Sequence, residues 1–220
     1  MRNIPLLPIV FLFLAAPEMS RAVEIHTTFP NEIAPDERYV FYLHGLIVEG
    51  ENPKPVHEKH GIYDFPAIKE KLFEGGGFNL IAHHRANNTD IEEYVEAIVG
   101  WVSNLSEAGV SASRITIIGF SRGSHLAAFA SSRLSTMGIN TALLASCIDG
   151  DIPSVKLKGH LLSIYEVSDI PGSCKMLAAR SQLLSFKEIA INTGKAHGAF
   201  FKPLEEWLHP LKDWINETNR

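Results

Sequence analysis

Residues 115–125 read Ile115-Thr116-Ile117-Ile118-Gly119-Phe120-Ser121-Arg122-Gly123-Ser124-His125. The β-branched run 115–118 has the character of a buried strand. It stops at Gly119, and Gly123 opens a segment rich in Ala, Leu and Phe. The stretch therefore predicts strand, tight turn and helix, with Ser121 at the bend. Gly119 and Gly123 flank the bend because two backbones crowd there and leave no room for a Cβ. Such a turn pushes the Ser121 hydroxyl out of the sheet and sets it at a helix N-terminus, where unpaired N–H groups can meet negative charge. Taken alone, G-x-S-x-G also fits an ordinary Gly/Ser turn between any strand and any helix; the other strand ends decide between the two.

On the N-terminal side, residues 38–45 (Arg-Tyr-Val-Phe-Tyr-Leu-His-Gly) form a strand running into a glycine turn, and residues 77–82 form another. Asp90 is the N-cap of a helix that carries Glu92 and Glu93 in its first turn, where the dipole favours acids. Ile91, Tyr94, Val95, Ile98, Val102 and Leu105 recur at helical spacing, and Gly109 stops the helix. On the C-terminal side, residues 141–146, 161–165 and 186–191 are short apolar strands. Residues 203–216 close the chain as a helix with Leu204, Trp207, Leu208, Leu211 and Trp214 on one side. Residues 23–29 can add one short strand. Strands alternate with helices and are continuously apolar, which predicts a mostly parallel sheet of about six or seven strands covered on both faces, an α/β three-layer sandwich. Right-handed crossovers put every strand C-terminus on one edge, where open α/β sheets bind ligands.

Four strand ends at that edge carry chemistry. Leu43-His44-Gly45-Leu46 can aim a backbone N–H; Ser121 is the second. Tyr165-Glu166-Val167-Ser168-Asp169 sets a carboxylate after an apolar strand. Asn192-Thr193-Gly194-Lys195-Ala196-His197 sets a histidine after the last one. Asp149 and Asp151 also follow a strand, so Asp149 is the alternative acid; Glu166, still within its strand, is a weaker candidate. His125 lies one helical turn past Ser121, where its ring packs or meets solvent, and His44 shapes its turn rather than acting as a base.

The chain order Ser, Asp, His at these positions resembles the α/β-hydrolase superfamily. The resemblance spans most of residues 38–216 and rests on Leu43-His44-Gly45, Gly119-Phe120-Ser121-Arg122-Gly123, Asp169 and His197; it is specific for the superfamily and not for a substrate. It implies a serine hydrolase, with Ser121 as nucleophile, His197 as base, Asp169 orienting the ring, and the backbone N–H groups of Leu46 and Arg122 as the oxyanion hole. Carboxylic esters or thioesters are the implied substrates, small or exposed on a larger molecule. The alternatives are a non-catalytic binding protein on the same scaffold and an amidase or peptidase. The connection from about Cys147 to His160 is too short for a lid domain. Residues 49–77, long and rich in Pro and Gly, contain a helix near 67–73 and wall the pocket, with Tyr63 and Phe65 as apolar contacts.

The 220 residues, 45% hydrophobic and 20% charged, fit one globular domain, residues 23–220. A net charge of −5 without a basic cluster argues against nucleic acid as a partner. Residues 1–22 have a basic start, an apolar stretch and Ser20-Arg21-Ala22, a signal-peptide pattern with cleavage after Ala22 that points to a secreted or periplasmic protein with no membrane span after cleavage. In that setting Cys147 and Cys174, each following a neighbouring strand, can form a disulfide. No cofactor or metal is expected: His57-Glu58-Lys59-His60 lacks the helical H-E-x-x-H spacing, and adjacent His83 and His84 point apart in a strand. Three Asn-x-Ser/Thr triplets, at Asn87, Asn104 and Asn216, are of a kind that recurs by chance.

Overall fold

The computed structural model of the protein describes residues 22–147, 154–170 and 172–220. The elements in chain order are β1 (Ile25–His26), β2 (Tyr39–Leu43), the two short strands β3 (Val56–His57) and β4 (Gly61–Ile62), α1 (Phe65–Phe73), β5 (Asn79–Ile81), α2 (Ile91–Glu107), β6 (Ile115–Phe120), α3 (Arg122–Arg133), β7 (Asn140–Leu144), β8 (Lys158–Glu166), α4 (Lys175–Arg180), β9 (Gln182–Ile191) and α5 (Glu205–Thr218). Seven strands form one sheet in the order β1-β5-β2-β6-β7-β8-β9, and every pairing is parallel.

The strand order explains where the helices lie. From β2 the chain steps outward to β5, crosses back to β6, and then proceeds through β7, β8 and β9 in the opposite direction. With right-handed crossovers, opposite directions of travel use opposite faces. The packing follows that rule. Phe65, Ile68 and Leu72 of α1 join Trp207, Leu211 and Trp214 of α5 against Val40, Tyr42, Ile118 and Leu144. Val95, Ile98 and Val102 of α2, Leu126 and Ala130 of α3 and Leu177 of α4 pack on Tyr39, Phe41, Ile117 and Leu143. Alternate residues of each central strand thus enter opposite cores, which is why these strands are apolar throughout.

Local signals act as the sequence predicts around α2. Asp90 accepts a hydrogen bond from the Glu93 N–H at 3.0 Å. At the other end Gly109 takes φ +94°, and the N–H groups of Gly109 and Val110 donate to the carbonyls of Ser106 and Leu105, the double bond of a Schellman cap. The strand at 23–29 is present as β1. Both β8 and β9 extend beyond the predicted strands. β9 is the sheet edge, and its exposed positions include Gln182, Ser185 and Lys187. Polar edge residues blunt the exposed ladder and hide the strand from a hydrophobicity reading. The β3–β4 hairpin and α4 are likewise too short and too polar to show a period.

Where the chain reverses direction across the sheet, β2 and β6 lie side by side, with Leu43 in register with Gly119. Their C-terminal ends open a crevice between connections that leave in opposite directions. Gly45 follows one end and Ser121 the other.

Candidate active site

Ser121 bridges β6 and α3 with φ +53° and ψ −118°, a conformation few non-glycine residues adopt. Its surroundings enforce it. A Cβ added to Gly119 would overlap the carbonyl of Gly123, and one added to Gly123 would overlap the carbonyl of Leu43. Both glycines are therefore required by close backbone approach, at the two positions the sequence singled out. The Ser121 N–H donates to the Leu144 carbonyl at 3.0 Å. Ser124 Oγ lies 2.7 Å from the Gly119 carbonyl and 3.0 Å from that of Leu144, stapling the turn to β7.

His197 sits on a short 3-10 turn, Ala196–Phe200, after β9. Its Nδ1 is 2.7 Å from Asp169 Oδ2, with the Asp169 side chain only 8% exposed and the imidazole 25% exposed. Asp169 Oδ1 accepts from the Ile170 N–H at 3.0 Å, which fixes the carboxylate plane. A carboxylate on Nδ1 keeps the proton there and leaves Nε2 as the basic nitrogen. His197 and Ser121 line one cavity of about 310 Å³ together with Gly45, Leu46, Ile47, His57, His60, Phe120 and Phe201. Among the described residues no direct hydrogen bond joins Ser121 to His197. A polar depression of about 360 Å³ over residues 24–32 contains none of the candidate residues.

The turn after β2 is built from His44 outward. The buried His44 ring accepts the Arg85 N–H on Nε2 at 3.0 Å, so its proton is on Nδ1, which donates to the Gly45 carbonyl at 2.9 Å. That carbonyl belongs to the peptide whose N–H is Leu46, and in a planar trans peptide the two point in opposite directions. Holding one aims the other. Burial, reinforced by the Arg85 charge, pushes the His44 pKa down to about 2, so the ring stays neutral. Leu46 opens a 3-10 turn and Arg122 opens α3, positions whose N–H groups lack an acceptor within their own helix. Gly45 is close enough to the serine that an added Cβ would lie 3.6 Å from Ser121 Cβ.

Two residues that sequence reasoning missed lie behind this turn. Glu49, 2% exposed at its side chain, has Oε1 at 3.2 Å from Arg85 Nε and 3.1 Å from Arg122 Nε. Arg85 is fully buried and donates from Nη2 to the His44 carbonyl, and Arg122 Nη2 donates to Thr89 at 3.0 Å. One carboxylate thus links the segments that carry Leu46 and Arg122. Glu49 and Arg85 each follow a strand, β2 and β5, and that was their only signal in the sequence.

The remaining candidates have definite positions. Asp149 and Asp151 lie outside the described residues. The His125 ring meets Ser146 Oγ at 2.9 Å. His83 bonds Tyr94 and His84 bonds the Val48 carbonyl, so the adjacent pair diverges. Among the described residues no group of three or more His, Cys, Asp or Glu side chains could hold a metal ion. Tyr63 and Phe65 do not wall the pocket: both are fully buried in the core, Tyr63 sharing a 2.8 Å bond with Tyr42. The wall comes instead from His57 and His60 on the β3–β4 hairpin, whose tight turn lifts them over the sheet edge. Gly198 makes room for His60, since a Cβ there would lie 3.0 Å from that of His60. Burial and the neighbouring His57 and Lys59 lower the His60 pKa. Cys147 and Cys174, their Cα atoms 5.2 Å apart, are joined by a disulfide.

Solved structures with this architecture are numerous. The chain aligns with a lipase-esterase related protein from Clostridium acetobutylicum at TM-score 0.54 and 9% identity, covering 84% of this chain and 96% of the other. It aligns with an esterase from Rhizomucor miehei at TM-score 0.58 and 12% identity, over 84% and 76% of the two chains. For a thermostable esterase the figures are 0.57, 16%, 87% and 58%, so the chain spans little more than half of that protein. This is the α/β-hydrolase fold. No family model and no curated protein matches the sequence. Ser121 stands at the strand-turn-helix bend between β6 and α3 of that fold.

Proposed function

We propose that the protein is an exported serine hydrolase that cleaves carboxylic esters, or thioesters, through an acyl-enzyme. The observation that carries this reading is the 2.7 Å contact between His197 Nδ1 and Asp169 Oδ2 on the wall of the cavity that Ser121 also lines. A serine hydroxyl is a weak nucleophile until a base takes its proton. His197 Nε2 receives that proton as Ser121 Oγ attacks the acyl carbon, and Asp169 stabilises the resulting imidazolium. The carbonyl oxygen becomes an oxyanion and accepts hydrogen bonds from the N–H groups of Leu46 and Arg122; one such donor is worth about 3–4 kcal/mol of barrier lowering. The alcohol or thiol leaves with the proton from His197. Water then attacks the acyl carbon and gives a proton to His197, the bond to Ser121 Oγ breaks, and His197 returns that proton to Oγ as the acid is released.

The cavity walls, with Leu46, Ile47, Phe120 and Phe201 as apolar elements, suit a compact acyl group. Export is supported by the leader pattern of residues 1–22 and by the Cys147–Cys174 pair, which persists in oxidising compartments. A fluorophosphonate probe tests the core of the proposal. Folded wild-type protein is labelled and Ser121→Ala is not. Unlabelled wild type would favour a binding protein on this scaffold. A panel of esters, thioesters and amides then ranks the chemistry, and a rate that keeps rising along a series of long acyl chains would contradict a compact site.

A further inference from the structure

Glu166 closes β8 and is fully buried, and among the described residues no cationic side chain hydrogen-bonds to it. Its carboxylate is nevertheless filled. Oε2 accepts from the Ser168 N–H at 2.8 Å and from the Ser168 hydroxyl. Oε1 accepts from the N–H groups of Thr193 and Gly194, at 3.0 and 3.1 Å. Ser168 immediately precedes Asp169. Thr193 and Gly194 precede His197 by four and three residues. One carboxylate therefore ties together the two loops that carry the acid and the base.

We infer that Glu166 is a positioning residue for the Asp169–His197 pair, an inference that rests on the hydrolase reading above. Each loop has a bond of its own, from the Ile170 N–H to Asp169 Oδ1 and from the Lys195 N–H to Thr193 Oγ1, but neither of these crosses to the other loop. Residues 192–195 form no strand or helix, Gly194 has φ +68°, and Ala196, which opens the 3-10 turn, has φ +46°, a conformation that costs an L-residue energy and persists only when surroundings impose it. The backbone of Glu166 adds to the clamp: its carbonyl accepts the Asp169 N–H at 2.9 Å, and the next N–H, from Val167, donates to Ile191 at 2.9 Å. With both oxygens engaged by donors, the Glu166 carboxylate is not free to serve as the acid itself. Burial favours its neutral form, but the Ser168, Thr193 and Gly194 donors outweigh that and hold its pKa below the ordinary carboxylate value. The group is anionic wherever the enzyme would work.

Glu166→Gln keeps the shape and replaces one acceptor oxygen with an NH₂ that confronts N–H donors, so one loop is released. Displacing a reacting group by about 1 Å can cost on the order of 100-fold. In the folded variant kcat is expected to fall by roughly 10- to 100-fold, with KM changed less than about threefold, since Glu166 does not line the cavity. Ser168 is exposed, so Ser168→Ala removes one donor without threatening the fold, and it should lower kcat by less, again with KM little changed. A lower melting temperature with kcat unmoved in both variants would make Glu166 merely structural and overturn the inference. Full turnover in Ser121→Ala would instead bring down the hydrolase reading on which it rests.

Discussion

On the β2–α3 side of the crevice a buried carboxylate, Glu49, is shared by two guanidinium groups, whereas on the β8–β9 side the equally buried Glu166 meets three backbone N–H groups and one hydroxyl. Among the described residues, the first arrangement leaves Glu49 Oε2 and Arg85 Nη1 buried without a hydrogen-bond partner; the second leaves no Glu166 oxygen unused. Charges removed from water depend on each other, and removing one strands the rest. Neutral donors fix direction and position, and losing their acceptor loosens loops before it unfolds anything. The half that would present the oxyanion donors of the proposed reaction is therefore expected to report on stability, and the half that would present its base on rate.

The sharpest division between the halves comes from Asp169→Asn. With the wrong tautomer of His197 favoured, kcat is expected to fall about 10³- to 10⁴-fold while urea unfolding hardly changes. A loss smaller than about tenfold, with Asp149→Asn inactive, would move the acid to Asp149 and dissolve the comparison. Glu49→Ala should show the opposite balance: about 3–5 kcal/mol lost in equilibrium unfolding, because Arg85 is left buried and unpaired. A cost under about 1 kcal/mol would mean that the ion-pair network is not what holds this half.

Replacing both Cys147 and Cys174 by Ser removes a link spanning 27 residues and should cost about 3–4 kcal/mol in the same experiment, with kcat little changed because neither residue lines the cavity. A collapse of kcat would show that the acid-bearing segment depends on the disulfide as well as on Glu166. The smallest effect is the pH signature of His44. Its folded pKa of about 2 lies below the value of an unfolded histidine, so only the unfolded chain gains a proton as pH falls below about 6.5. Stability is complete above that pH and declines below it, by at most about 1.4 kcal/mol per unit. Between pH 7 and 5 wild type should lose about 2 kcal/mol more than His44→Asn. Equal losses would mean that the ring is not kept neutral.

The same contrast accounts for what could be read from the sequence. Ser121 was legible because its neighbours Gly119 and Gly123 carry the steric requirement in their own identities. Asp169 and His197 were legible because each follows an apolar strand, and the parallel topology brings strand ends together. Glu49 and Arg85 were not, since each is an unremarkable charge whose role exists only when β2 and β5 pair. Glu166 was seen as a weaker acid because its position in the strand was visible and its four donors, arriving from residues up to 28 positions away, were not. Tyr63 and Phe65 were misassigned for a related reason. An apolar residue in a long loop looks available to a ligand until α1 folds that loop against the sheet. The hairpin that instead brings His57 and His60 over the cavity has no apolar run to announce it.

The positive φ of Ser121 has a consequence for how the protein can change over generations. A glycine at position 121 would relax the bend, since it adopts φ +53° without steric cost. Such a variant should be hardier than its parent and inert. Selection for durability alone would erode the crevice at its centre, so persistence of the hydroxyl among descendants would register continued demand for what it does.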